Sequence, residues 1–199
     1  MMPHPEAYPE AYIDFLVHFH GDRDWFECHE QLEQYWKEHP DDPKSDTWVG
    51  LIQTAVSLYH HRRGNIAGAR KMSAAALDHL RGEHLTALGI DAPSFLDAWK
   101  DRHKRLVSET NPAFSDFDIP IADPSLEQRC RRLCEEKGLR WRAPSDMSNA
   151  DLIHKHLRRD RTDVIETRRR AAEQKAEQKM EQLIMANERG AEQNGASEH

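Results

Sequence analysis

Cysteine is scarce in this chain of 199 residues: Cys28, Cys130 and Cys134 are all it has. No pair stands in CxxC spacing and the number is odd, which argues against both a zinc ribbon and the disulfide framework of a small secreted domain. A reducing, cytoplasmic compartment is expected. No apolar run approaches the roughly 18 residues needed to span a bilayer. The opening Met1-Met2-Pro3-His4-Pro5-Glu6 lacks the basic start and apolar core of an export signal, so neither export nor membrane insertion is expected. Positive charge is also short. Lys and Arg number 28 against 35 Asp and Glu, a formal net charge of −7, which gives no broad attraction to phosphate backbones or anionic lipid. Nucleic acid and membranes are therefore not the expected partners. Missing too are a nucleophile paired with a base, a glycine-rich phosphate loop and a redox dithiol, so no enzyme class is indicated by motif.

What is present is helical periodicity. Tyr12, Phe15, Leu16 and Phe19 mark one face of a helix from about Tyr8 to His20, with Gly21 as its stop. Asp24-Trp25-Phe26-Glu27 reads as a capping box opening a second helix to about Glu38. His39-Pro40-Asp41-Asp42-Pro43 must be a loop. Ser45 or Asp46 is the expected cap of a third helix, about 46–63, whose wide apolar face (Trp48, Leu51, Ile52, Ala55, Val56, Leu58, Tyr59) places it centrally in the bundle. Gly64 and Asn65 close it and cap the next, forming a tight hairpin. Ile66, Ala69, Ser73, Leu77, Leu80 and Leu88 stripe the fourth helix. A fifth is expected from Ser94, with Ser94-Phe95-Leu96-Asp97 as a second box and Phe95, Ala98, Trp99 and Leu106 inward.

The expected fold is therefore all-α: a compact bundle of about five helices with helical hairpins over 8–110. A proline-marked linker at 111–124 follows, then a short helical extension at 125–165. Residues 166–199 read as a charged tail, since Glu173, Glu177 and Glu181 stack like charges and almost no apolar stripe remains. A frayed helix passing into disorder is expected there, and a chain stopped near Asn111 should unfold with nearly the same midpoint.

Chemistry is most plausible in Trp25-Phe26-Glu27-Cys28-His29-Glu30-Gln31-Leu32-Glu33-Gln34-Tyr35-Trp36. Helical geometry puts Trp25, His29, Leu32 and Trp36 on one stripe, which points His29 into the core with Glu33 one turn on as its partner. A satisfied core pair is the plainer reading, ahead of ligand binding, catalysis or metal. His29-Glu30-x-x-Glu33 falls short of the zinc-protease pattern, where a second histidine would replace Glu33. A second group, Gln53, His60, Arg63, Gly64 and Asn65, runs along one flank of the third helix. If the second and third helices are antiparallel, Gln53 comes level with His29 and Glu30. Arg62, Arg63 and Lys71 beside the opening of the fourth helix form a corner suited to a carboxylate or phosphate, or they merely complement the end of the third helix.

The runs Phe26-Glu27-Cys28-His29-Glu30-Gln31-Leu32-Glu33-Gln34-Tyr35-Trp36, Gly50-Leu51-Ile52-Gln53-Thr54-Ala55 and Tyr59-His60-His61-Arg62-Arg63-Gly64-Asn65-Ile66-Ala67-Gly68-Ala69-Arg70-Lys71 together resemble the bacterial helical family catalogued as domain of unknown function 309. The resemblance spans about residues 10–90. It implies a compact all-α bundle whose characteristic polar residues match His29, Glu30, Glu33, Gln53, His60, Arg63 and Asn65. Val49 departs from it, standing where glutamine is expected.

The leading functional expectation is a helical binding or scaffold module. Its His/Glu/Gln seam would hold a small anionic ligand or support a protein partner, and self-association as a homo-oligomer stays open. The alternative is a hydrolase-type or metal-dependent enzyme using His29, Glu30, Glu33 and His60, with Glu30 or Glu33 as general base. No cofactor is indicated, and the pattern assigns no metal. Because the hairpin needs a positive backbone φ at Gly64, Gly64→Val is expected to lower stability by more than about 1 kcal/mol. Denaturant unfolding checks this, and a neutral substitution would mean another corner geometry.

Overall fold

Tyr12, Phe15, Leu16 and Phe19 are all fully buried, on a helix α1 at Glu10–His20. The computed structural model describes residues 8–158, and the expected charged tail at 166–199 lies outside them. Helix α2 follows at Trp25–Glu38, α3 at Ser45–Arg62, α4 at Ile66–His79, α5 at Gly82–Ala87, α6 at Ala92–Ser108 and α7 at Pro124–Glu136. Single turns α8 (Ala150–Ile153) and α9 (Lys155–Arg158) end the described chain. The fold is all-α. Among the described residues the only extended pairing is an antiparallel bridge between Ile90 and Ile121, and no helix is long and apolar enough to cross a membrane.

Helix α3 packs against α2 on one side and α4 on the other, α2 packs on α1, and α6 covers α4. The central position of α3 follows from its buried residues, which run from Thr47 and Trp48 through Ala55 and Leu58 to Arg62. The small residues Ala69, Ser73 and Ala76 are the buried ones of α4. They allow an approach close enough for the Ser57 hydroxyl to donate to the Ala69 carbonyl at 2.9 Å.

Two caps form as the sequence indicates. Asp24 accepts from the Glu27 N–H, and Gly64 takes φ 78° while Asn65 accepts from the Gly68 N–H. Four local expectations are corrected. Neither Ser45 nor Asp46 caps α3. Asp42 holds that corner instead, accepting from the Lys44 N–H and the Trp48 indole, both at 2.8 Å, while the Ser45 hydroxyl receives the Trp36 indole N–H. The fourth helix stops at His79, because Leu80 turns extended to lie over Gly50, where a Cβ would come within 2.9 Å of it. Leu88 thus lies beyond α5. The cap of α6 is Asp91 and not Ser94, and Ala98 is exposed because Arg102 takes an inward position beside Phe95, Trp99 and Leu106.

The largest difference lies after α6. Segment 111–124, expected as a linker, is packed: Ile119 is fully buried, Phe117 meets Trp99 edge-on at 5.2 Å and Phe114 meets Trp25 at 5.8 Å. Prolines read as breaks here supply carbonyls. Pro112 bonds to the His61 ring, and Pro120 accepts from the Asp91 N–H. Helix α7, capped by Asp123, buries Leu126, Cys130 and Cys134 and packs against α1. Asp123 also accepts from the Tyr8 hydroxyl at 2.8 Å.

His20 shows how tightly the two stretches interlock. Its Nδ1 donates to the Leu16 carbonyl, its Nε2 accepts from the Ile119 N–H at 3.0 Å, and its ring lies against Trp141 at 4.4 Å. That bonding requires a neutral imidazole, and burial pushes its pKa down to about 3.

Removing residues beyond Asn111 would expose Trp25, Trp99 and the His20 ring. A chain stopped there is therefore predicted to lose cooperative thermal unfolding or to aggregate, the reverse of the sequence expectation. A midpoint near that of the full chain would contradict the packing argument.

Candidate functional site

Between α2 and α3, Trp25, Phe26, His29, Val56, Tyr59, His60 and Arg63 line a cleft of about 200 Å³, with His156 of α9 as its remaining wall. Val56, Tyr59, His60 and Arg63 follow the three-to-four spacing of one helix face, which is why the end of α3 presents them together. Phe26 and Tyr59 meet across the cleft at 6.0 Å. The walls are largely apolar, with charge supplied at one point by Arg63. Its guanidinium lies over the Tyr59 ring at 5.7 Å and hydrogen-bonds His156.

His60 is held by the hairpin corner. The Asn65 side-chain oxygen is committed to the Gly68 N–H, so its amide nitrogen faces His60 Nδ1 at 3.1 Å. Nδ1 is thereby the acceptor and Nε2 carries the proton. Burial, and then the Arg63 charge, push the His60 pKa down, so at neutral pH it is a hydrogen-bonding group and not a countercharge. A Cβ on Gly68 would come within 2.9 Å of the His60 ring, so this corner tolerates no side chain there without moving the histidine.

His29 forms the expected contact with Glu33, Nε2 to Oε2 at 3.3 Å, and a second with Glu30 at 3.1 Å. It does not point into the core. The three side chains are 29, 32 and 31% exposed, and Glu33 is shared with Lys37 at 3.0 Å. The helical stripe is real, since Trp25 and Leu32 are fully buried. At His29, however, the facing surface is the cleft and not a packed neighbour. One ligand atom from each of His29, Glu30 and Glu33 can lie within 4.8 Å of the others, an imidazole and two carboxylates of the kind that suits zinc or a similar divalent ion.

The two sequence clusters meet only in part. His29, His60 and Arg63 reach the cleft, with Asn65 behind His60. Gln53 turns toward α4, where its oxygen meets His79 Nδ1 at 3.1 Å. Arg62, placed by sequence at the anion corner, is buried and stacks on Trp25 at 4.4 Å. Its N–H groups serve the carbonyls of Arg23 at 2.7 Å and Leu152 at 3.2 Å. Sequence reasoning missed the cleft walls Phe26, Val56 and Tyr59, and nothing local in the sequence places His156 against them.

Residues 12–72 match the family described as domain of unknown function (DUF309). The chain is also 46% identical over 170 residues to the uncharacterised protein YpuF of Bacillus subtilis (strain 168), an alignment covering 84% of this chain and 97% of that protein. The chain belongs to the DUF309 family. The DUF309 segment holds every cleft residue except His156, and the likeness to YpuF extends beyond that segment. No solved structure matches the chain, and neither the family nor YpuF carries an assigned molecular role.

A pair roughly 30% exposed contributes only about 0–1 kcal/mol. His29→Leu in this DUF309 protein is thus predicted to change stability by less than about 1 kcal/mol in denaturant unfolding. A loss of about 3 kcal/mol, recovered by adding Glu33→Leu, would restore the buried-pair reading.

Proposed function

We propose that the chain is a helical binding module whose cleft takes a small anionic ligand with a flat apolar body. The observation carrying this reading is Arg63, which has no carboxylate partner among the described residues and stands over an aromatic and aliphatic cleft. A guanidinium gains most from a bidentate carboxylate or phosphate, and Phe26, Val56 and Tyr59 suit a planar apolar body. Neutral His60 adds a hydrogen bond without competing charge. A cytoplasmic setting belongs to the same proposal, supported by three buried cysteines that are all free thiols.

A second reading is favoured by the clustering of His29, Glu30 and Glu33. With a divalent ion held there, these residues would supply three ligands and leave positions open for water or substrate, as a metal-dependent hydrolase requires. Elemental analysis of tag-free protein decides it, and a stoichiometric transition metal would place this reading first.

Phenyl phosphate and benzoate are suitable probes of the binding reading. Titration calorimetry is predicted to show one site, with Arg63→Gln weakening binding by about 10- to 100-fold, the range of a lost charge-assisted contact. Equal affinity in Arg63→Gln, or no binding by either probe, would overturn it.

A further inference from the structure

His156 meets Arg63 and Tyr59 as a ligand would. Both its ring nitrogens face Arg63, Nδ1 at 2.9 Å, and Nδ1 also lies beside the Tyr59 hydroxyl, which in turn accepts from the His156 backbone N–H at 3.1 Å. The ring stands edge-on to Tyr59 at 5.5 Å. An imidazole nitrogen thus takes the acceptor position that a carboxylate or phosphate oxygen would take.

The segment carrying His156 is fastened lightly. Helix α8 buries no side chain, and α8 and α9 are single turns of the kind that do not persist alone. Among their contacts, Asn149 caps α8, Leu152 accepts from Arg62, and Lys155, 37% exposed, pairs with the largely buried Asp24 and with Glu27 at 3.1 Å. Because Lys155 itself stays in contact with solvent, water screens both pairs. Just upstream the chain is fixed, with the Arg142 N–H on the His20 carbonyl and the Ala143 carbonyl on Arg23. Between these lies the turn at Asp146–Asn149, all exposed.

We infer that residues 149–158 form a detachable strap, with His156 as an intramolecular competitor for the ligand of the cleft. The inference rests on the cleft being the binding site and adds its regulation. A ligand presenting its own anion to Arg63 displaces His156, and its apparent affinity is reduced by the fraction of molecules in which the strap is closed.

The test compares the full chain with His156→Gly, first without any ligand. Trypsin cleavage after Lys155, followed by mass, is expected to be about ten-fold faster in the variant, with the melting midpoint unchanged. Phenyl phosphate is expected to bind the variant about ten-fold more tightly than the parent and to accelerate cleavage of the parent. Equal cleavage rates would overturn the strap, whatever binds the cleft. Faster cleavage with unchanged phenyl phosphate affinity would overturn the competition while leaving the cleft as a binding site. Faster cleavage with no phenyl phosphate binding to either protein would overturn both the competition and the binding proposal.

Discussion

Among the described residues three guanidinium groups are buried, and hydrogen-bonding their terminal N–H groups shapes the rest of the chain. Arg23, Arg62 and Arg102 are 2, 5 and 3% exposed. Burial lowers the pKa of Arg62, and that of Arg102 to about 10, which leaves Arg102 charged at neutral pH. Taking such a group from water without hydrogen-bond partners costs several kcal/mol. The partners come largely from beyond α6: Phe117 and Ala143 carbonyls and the Asp118 carboxylate for Arg23, Leu152 for Arg62 and Ser115 for Arg102. Arg23 even holds φ 56°, a left-handed backbone unusual for a residue with a side chain, while its own carbonyl receives Arg62. The stretch from Pro112 to Ala143 is thus part of the interior.

This arrangement also builds the cleft. Arg62 and Arg63 are neighbours at the end of α3, one turned inward and one toward the cleft. The inward member stacks on Trp25, whose ring is also a cleft wall, so the binding surface rests on the same buried cation that secures Leu152. Asn65, required to cap α4, also sets the tautomer of His60. Structural devices and candidate ligand groups therefore share residues, and few substitutions at this corner can touch one without the other.

The helices were legible because periodicity and capping are local. Asp24, Gly64 and Asn65 announce their roles within a few residues, and the faces of α1 and α3 need only a helical repeat. What could not be read depended on distant chain. Arg102 sits at an inward spacing on α6, yet arginine is not ordinarily counted as core, so an apolar pattern does not reveal it. Phe114, Phe117 and Ile119 were hidden among prolines, whose carbonyls proved to be acceptors. For His29 the stripe was correct and the inference of burial was not, because a wheel shows which way a side chain points but not whether a neighbour covers it. The candidate site was legible at His29, His60, Arg63 and Asn65. Gln53 was lost to a neighbour on α4, and His156 arrives from too far along the sequence for any spacing to reveal.

From Pro112 to Ala143 the chain forms one cooperative unit with the helical bundle, joined through the buried cations and His20. Native-state hydrogen exchange tests it directly, through the Ile119 amide bonded to His20 Nε2 and the Arg142 amide bonded to the His20 carbonyl. Both are predicted to exchange only through global unfolding, with the same opening free energy and denaturant dependence as amides in the middle of α3. Exchange of Ile119 and Arg142 through a lower-energy opening, with α3 still protected, would show that the C-terminal stretch detaches on its own and would contradict the account.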